Sequence, residues 1–304
     1  MKKNILPLLL MIVSLCMLVV LTGAAVFIVN NKSNGTIVSS GEERKYLLYV
    51  PSTYDPEKPT PLVISMHGFA DWPAHHMKMT HWNDLAEEKG FIVVYPMGSG
   101  FPLRWRTNAQ TREPGGMQKD VAFISDLIDV LSSKYNIDPQ RIYANGMSNG
   151  GGMSFTLGCM LADRIAAIGG VAGAYTLPWS ECDPVRPVPV VAFHGDADKI
   201  VPYSGSKSRR NYQAFPPVVS WAADWAAHNV CVDKPVDLPG SGDVSGIQYS
   251  PCYQDADVVL YTIHGGGHTW PGGEPLPKRI TGHTTQDIDA TQEMWDFFER
   301  HPLK

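Results

Sequence analysis

The chain has 304 residues, 44% hydrophobic and 18% charged, which is ample material for one large globular core and excludes a chain disordered over most of its length. Its 30 acidic and 25 basic residues leave a net charge of −5, and the densest basic run, SKSRR at 206–210, is too short to track a phosphate backbone. That run reads as a solvated loop, and nucleic acid is excluded as a partner.

The N-terminus reads as an export signal: MKK precedes an uncharged, mostly apolar run from Ile5 to Val29. A run of that length is able to span a bilayer, yet Thr22-Gly23-Ala24-Ala25 offers small residues suited to cleavage. Residues 1–33 are therefore expected to be a signal peptide or an N-terminal membrane anchor, with membrane contact only through this segment if it is uncleaved. Residues 34–304 are expected to form one globular domain in an extracellular or periplasmic setting. Leu15, just before Cys16, does not fit a lipoprotein cleavage box.

From residue 45 onward, short apolar runs alternate with segments of helical spacing. LVISMH at 62–67, FIVVYP at 91–96, RIYANG at 141–146, VVAFHG at 190–195 and VVLYTI at 258–263 read as buried strands. Between them, DVAFISDLIDVLSSKY at 120–135 places Val121, Ile124, Leu127, Ile128 and Leu131 on one helical face. Trp221 and Trp225 share a face in VVSWAADWAAH. This alternation predicts an α/β fold: a mostly parallel central sheet with helices on both faces. The Pro/Gly-rich stretches 96–116, 178–189, 235–251 and 271–283 are expected to be loops over the sheet.

Cys159, Cys182, Cys231 and Cys252 lie beyond the leader, an even number in an oxidising setting, so disulfides are expected. Three pairings are open. The sequence-local one, Cys159–Cys182 with Cys231–Cys252, closes two short loops, each contributing about 3 kcal/mol on a chain-entropy estimate. No C-x-x-C pair supports a zinc site.

Between 143 and 153 the chain reads YANGMSNGGGM. A strand ends here and a helix can start at Asn149, so Ser148 falls on a sharp strand-to-helix turn, the setting of a nucleophile elbow. Glycines flanking the serine remove Cβ atoms that would clash in such a turn. The helix N-terminus supplies free N–H groups and a dipole favouring negative charge. A serine nucleophile needs a base, and the base an orienting acid. Asp196 and Asp198 follow VVAFHG, and His264 and His268 follow VVLYTI, giving the chain order Ser, Asp, His. His264 and His268 have the spacing of two helical metal ligands, but three glycines between them disfavour a helix. His75, His76 and His81 lack an evident further ligand, so no metal is expected.

The segments MHGF at 66–69, DVAFISDLID at 120–129, GMSNGG at 146–151, HGDADKIVPY at 194–203 and GGGHTWPGG at 265–273 resemble the polyhydroxybutyrate depolymerase-like esterases, which include feruloyl and acetylxylan esterases of the carbohydrate-esterase type. The resemblance covers roughly residues 40 to 301. It implies an α/β-hydrolase fold and a serine esterase with no cofactor. It further implies Ser148 as nucleophile, Asp198 as acid with Asp196 as runner-up, His268 as base, and the backbone N–H groups of Phe69 and Asn149 as oxyanion hole. His194 is expected to shape the acid loop. Of four tryptophans in or beside loops, Trp270 is the foremost candidate for a substrate-binding wall and Trp105 the next; Trp72, Trp105 and Trp179 equally fit core positions. The expected reaction is hydrolysis of a small, oligomeric or polymeric ester through an acyl-enzyme, falling on the acid side of neutrality as the base takes up a proton. An acyltransferase with the same triad and a non-catalytic surface-exposed binding protein are the alternatives.

Overall fold

The computed structural model describes residues 32–108, 115–207 and 214–304. The expected leader lies almost wholly outside them, as does part of the basic run at 206–210. Ten strands form one sheet: β1 (Gly35–Ser39), β2 (Glu42–Tyr49), β3 (Thr60–Met66), β4 (Ile92–Pro96), β5 (Ile137–Met147), β6 (Ala167–Val171), β7 (Val190–Gly195), β8 (Val236–Ser241), β9 (Val244–Tyr249) and β10 (Val258–Ile263). Their spatial order is β1-β2-β4-β3-β5-β6-β7-β10-β9-β8. The central run from β4 to β10 is parallel, and antiparallel strands close both flanks.

Seven α-helices accompany the sheet among the described residues: α1 (Pro73–Thr80), α2 (Trp82–Lys89), α3 (Gly116–Lys134), α4 (Asn149–Met160), α5 (Val218–His228), α6 (Lys278–Thr281) and α7 (Ala290–Arg300). The period-2 alternation of the strands divides the core in two. Leu62, Ile64 and Met66 of β3 face one layer with Phe123, Ile124 and Leu127 of α3, Phe155 of α4, and Trp221 and Trp225 of α5. Val63 of β3, Tyr143 of β5 and Phe193 of β7 face the other layer, against Trp82 and Leu85 of α2 and Trp295 and Phe298 of α7. Burial on both faces explains why β3, β4, β7 and β10 read as largely continuous apolar runs.

Three expectations need correction. The stretch 235–251, read as a loop, is the β8–β9 hairpin. Pro239 and Gly240 sit in β8, which is the last strand of the sheet and largely exposed, a position where proline and glycine are tolerated. Within 271–283 the four-residue α6 is also helical. The helix expected at 120–135 starts earlier, at Gly116, with Gly115 at φ 71° before it, and Val121 is only half-buried while Phe123 faces the core.

Both sequence-local disulfides are present, Cys159–Cys182 and Cys231–Cys252. Among the described residues no helix is long and apolar enough to cross a membrane.

Candidate active site

Parallel strands deliver their following loops to one edge of the sheet, and Ser148, Asp198 and His268 follow β5, β7 and β10 there. Ser148 occupies φ 55°, ψ −116°, a conformation a non-glycine residue adopts only when its surroundings enforce it. The enforcement is visible. Ser148 N–H donates to Val171 O at 2.8 Å, and Ser148 O accepts from Gly152 and Ala174 N–H, both at 2.9 Å, tying the elbow to the end of β6. The tightness of the turn explains its glycines: a Cβ at Gly146 would lie 2.6 Å from Met66 O, and one at Gly150 only 2.1 Å from the same oxygen.

The GDAD and HGGGH segments pair in order. His268 Nδ1 lies 2.7 Å from Asp198 Oδ2 in a buried setting, whereas His264 Nδ1 lies 3.0 Å from Asp196 Oδ2 in an exposed one. Asp196 thus partners the other histidine. Asp198 Oδ1 accepts from the N–H groups of Ile200 at 2.7 Å and Val201 at 2.9 Å. Burial alone would push the Asp198 carboxyl up, but its bonds with His194 and His268 outweigh that and hold it well below the usual carboxylate range. The carboxylate accepts a hydrogen bond from His268 Nδ1–H, which leaves Nε2 bare to accept a proton. His194 shapes the acid loop, its Nε2 donating to Val201 O at 2.8 Å. Close packing of the acid and base loops requires Gly195, where a Cβ would lie 2.3 Å from Gly266 O. Among the described residues no hydrogen bond engages the Ser148 hydroxyl, which is half-buried.

The N–H groups of Phe69 and Asn149, expected as oxyanion donors, find no acceptor among the described residues. Two clamps, neither foreseen from sequence, hold the segments that carry them. His67, fully buried, accepts the Gly98 N–H on Nε2 at 3.0 Å, which places its proton on Nδ1 to donate to Gly68 O at 2.7 Å. Burial pushes the His67 pKa down, favouring this neutral form. The Asn149 side chain accepts from Trp105 N–H at 2.6 Å and donates to Trp105 O at 3.0 Å, binding the elbow to the neighbouring loop. The asparagine after the serine was the available signal for this second clamp.

Neither tryptophan proposed as a substrate wall is open. Trp270 is 1% exposed, donates to Thr291 Oγ1 at 3.0 Å and packs edge-on against His76. Trp105 is 2% exposed, donates to His67 O at 3.1 Å and stacks on Phe123. An indole has one polar atom, and in both cases an internal acceptor satisfies it, so the ring is free to join the core. Phe69, one of the residues expected at the oxyanion hole, has an exposed ring, at 58%.

A sequence model of the esterase PHB depolymerase family matches residues 44–183. Over that segment the chain is similar to this esterase family. It is 34% identical over 259 residues to a bifunctional acetylxylan esterase/xylanase of Neocallimastix patriciarum, covering 84% of this chain and 33% of that protein. It is 32% identical over 241 residues to feruloyl esterase B of Piromyces equi, covering 76% of this chain and 44% of that protein. The chain therefore spans less than half the length of either relative. With feruloyl esterase C of Emericella nidulans the coverage is 84% and 83%, at 26% identity. The acetyl xylan esterase from Aspergillus awamori superposes with a TM-score of 0.62 over 87% of this chain and 98% of that one, at 15% identity, a likeness of fold. The fold is that of the α/β-hydrolases, a mostly parallel sheet between helices.

Proposed function

We propose that this chain is a serine carboxylic ester hydrolase acting outside the cytoplasm on feruloyl or acetyl cell-wall esters, or on hydroxyalkanoate oligo- or polyesters. The observation that carries the reading is the buried His268–Asp198 pair, at 2.7 Å, on the same sheet edge as a serine held at positive φ. Relatives named as acetylxylan and feruloyl esterases support the substrate class. The two disulfides and the apolar N-terminal run support export.

The reaction is two-step acyl transfer. His268 Nε2 takes the Ser148 proton as Oγ attacks the ester carbonyl, and Asp198 stabilises the resulting imidazolium. The tetrahedral oxyanion rests on the N–H groups of Phe69 and Asn149. The alcohol leaves with the proton from His268, and water, activated by the same histidine, releases the acid. No step calls for a cofactor.

The test is hydrolysis of p-nitrophenyl acetate and butyrate, methyl ferulate, acetylated xylan and hydroxybutyrate oligomers by the protein and its Ser148→Ala variant. Turnover of one group by the wild type alone supports the reading and identifies the acyl class. No difference from buffer on any ester removes its main support. Acyl transfer to an added carbohydrate acceptor in preference to water would mark a transferase.

A further inference from the structure

Apart from Ser148, a second serine, histidine and aspartate are joined end to end at the surface. Ser245 Oγ on β9 lies 2.9 Å from His264 Nε2, and His264 Nδ1 lies 3.0 Å from Asp196 Oδ2. Asp196 is itself held, its Oδ1 accepting the Gly265 N–H at 2.7 Å. The Asp196 carboxylate accepts a hydrogen bond from His264 Nδ1–H, which leaves Nε2 as an acceptor for the Ser245 hydroxyl. These are the roles a nucleophile, its base and an orienting acid require. The backbone supports the arrangement: His264 N–H donates to Asp243 O at 2.7 Å, and β9 and β10 pair in register through Ser245 and Thr262.

All three residues are open to solvent; the His264 and Asp196 side chains are 56% and 36% exposed, and Ser245 lies on the outer side of its strand. Thr262, directly opposite Ser245, projects from the same face with its Cβ roughly 5 Å away. Its hydroxyl shares a hydrogen bond with Tyr203 at 2.7 Å. With Tyr203 donating, the Thr262 proton is free to meet an oxyanion formed at Ser245.

We propose that Ser245, His264 and Asp196 form a second nucleophile–base–acid set, making Ser245 a surface site that is acylated by activated esters such as aryl esters. In the step, Ser245 Oγ bonds to the carbonyl carbon and its proton passes to His264 Nε2. The bond from that carbon to the aryl oxygen breaks, and the phenol departs with the proton from His264. The product is an acyl-Ser245. Lacking two backbone donors aimed at the oxyanion, this site works roughly 100-fold or more slowly than one with a complete hole, and it is a site of modification rather than rapid turnover.

The test uses the full chain carrying Ser148→Ala, treated with a fluorophosphonate and mapped by peptide mass spectrometry. Attack by Ser245 forms an O–P bond, expels fluoride and passes the proton to His264. The adduct on Ser245 is expected at least 10-fold faster than on the exposed Ser132, and its rate is expected to fall to that of Ser132 when His264→Gln is added. Ser148→Ala with Asp196→Asn gives an independent check should the first pair fail to fold, with the same slowing expected. Labelling of Ser245 no faster than Ser132, or unchanged by both second substitutions, overturns the proposal.

Discussion

His268 Nδ1 stands 2.7 Å from Asp198 Oδ2, and the other oxygen of that carboxylate is pinned by the N–H groups of Ile200 and Val201. An amide at 198 is able to turn its NH₂ toward His268, which moves the imidazole proton to Nε2 and abolishes the base. Asp198→Asn is therefore expected to lower kcat by roughly 10³- to 10⁴-fold. Asp196→Asn, two residues away, is expected to stay within about 10-fold of wild type. Steady-state kinetics on one ester compare the two; equal losses would sink the assignment of Asp198 as the acid.

Asn149 offers a test of the oxyanion segment that leaves its N–H in place. In Asn149→Asp, one carboxylate oxygen still accepts from Trp105 N–H while the other confronts Trp105 O, which now receives a donor at 3.0 Å. The new charge also sits beside the developing oxyanion. A loss of roughly 10²-fold in kcat is expected, with Asn149→Ala losing less because it adds no repulsion. If the alanine variant proves the slower of the two, repulsion at this point is not what matters.

A methyl group at position 150 has nowhere to go, since its Cβ would lie 2.1 Å from Met66 O and 2.7 Å from His67 O, both backbone atoms. Gly150→Ala is expected to destabilise by about 3 kcal/mol, at the upper end of ordinary overpacking. It should also displace the strand that leads to Phe69. Urea unfolding checks the first expectation, and a wild-type midpoint would show that the elbow has slack.

Stability should fall with acid through His76. This side chain is fully buried, its Nε2 donates to Ser65 Oγ at 3.0 Å, and its Nδ1 has no partner among the described residues. Burial pushes its pKa down to about 3, despite the opposing charge of Asp71 and with His67 and His75 adding to the depression. The folded state refuses a proton that the unfolded chain accepts near pH 6.5, so stability is intact above that value and declines as pH falls toward 3. Between pH 7 and pH 5 this site alone should remove about 2 kcal/mol. The depressed pKa of Asp198 acts in the same direction, at lower pH. Urea unfolding across that interval should show a shallower slope in His76→Gln than in wild type; parallel slopes would place the titrating group elsewhere.

The parallel centre of the fold was legible in the sequence because its strands are buried on both faces and read as unbroken apolar runs. β6, with the sequence AIGGV, carries two glycines, and β8 and β9 combine exposed residues with Pro239, Gly240 and Gly246, so apolar content alone could not reveal them. Ser148, Asp198 and His268 stand in motifs whose spacing betrays the turns around them. The His67 clamp did not, because it depends on Gly98, which only the pairing of distant segments brings to it. Trp270 and Trp105 mislead for a related reason: loop sequence says nothing of which way an indole turns, and here each indole N–H finds an acceptor inward.

The serine at 148 holds a backbone conformation, φ 55° and ψ −116°, that only glycine adopts without penalty, and such a penalty is of order 1–3 kcal/mol. Heat tolerance and chemistry thus pull in opposite directions at one codon. A library of variants screened for thermal survival alone would enrich glycine there and return robust proteins without the proposed nucleophile, so any programme to harden this fold has to keep turnover in the screen.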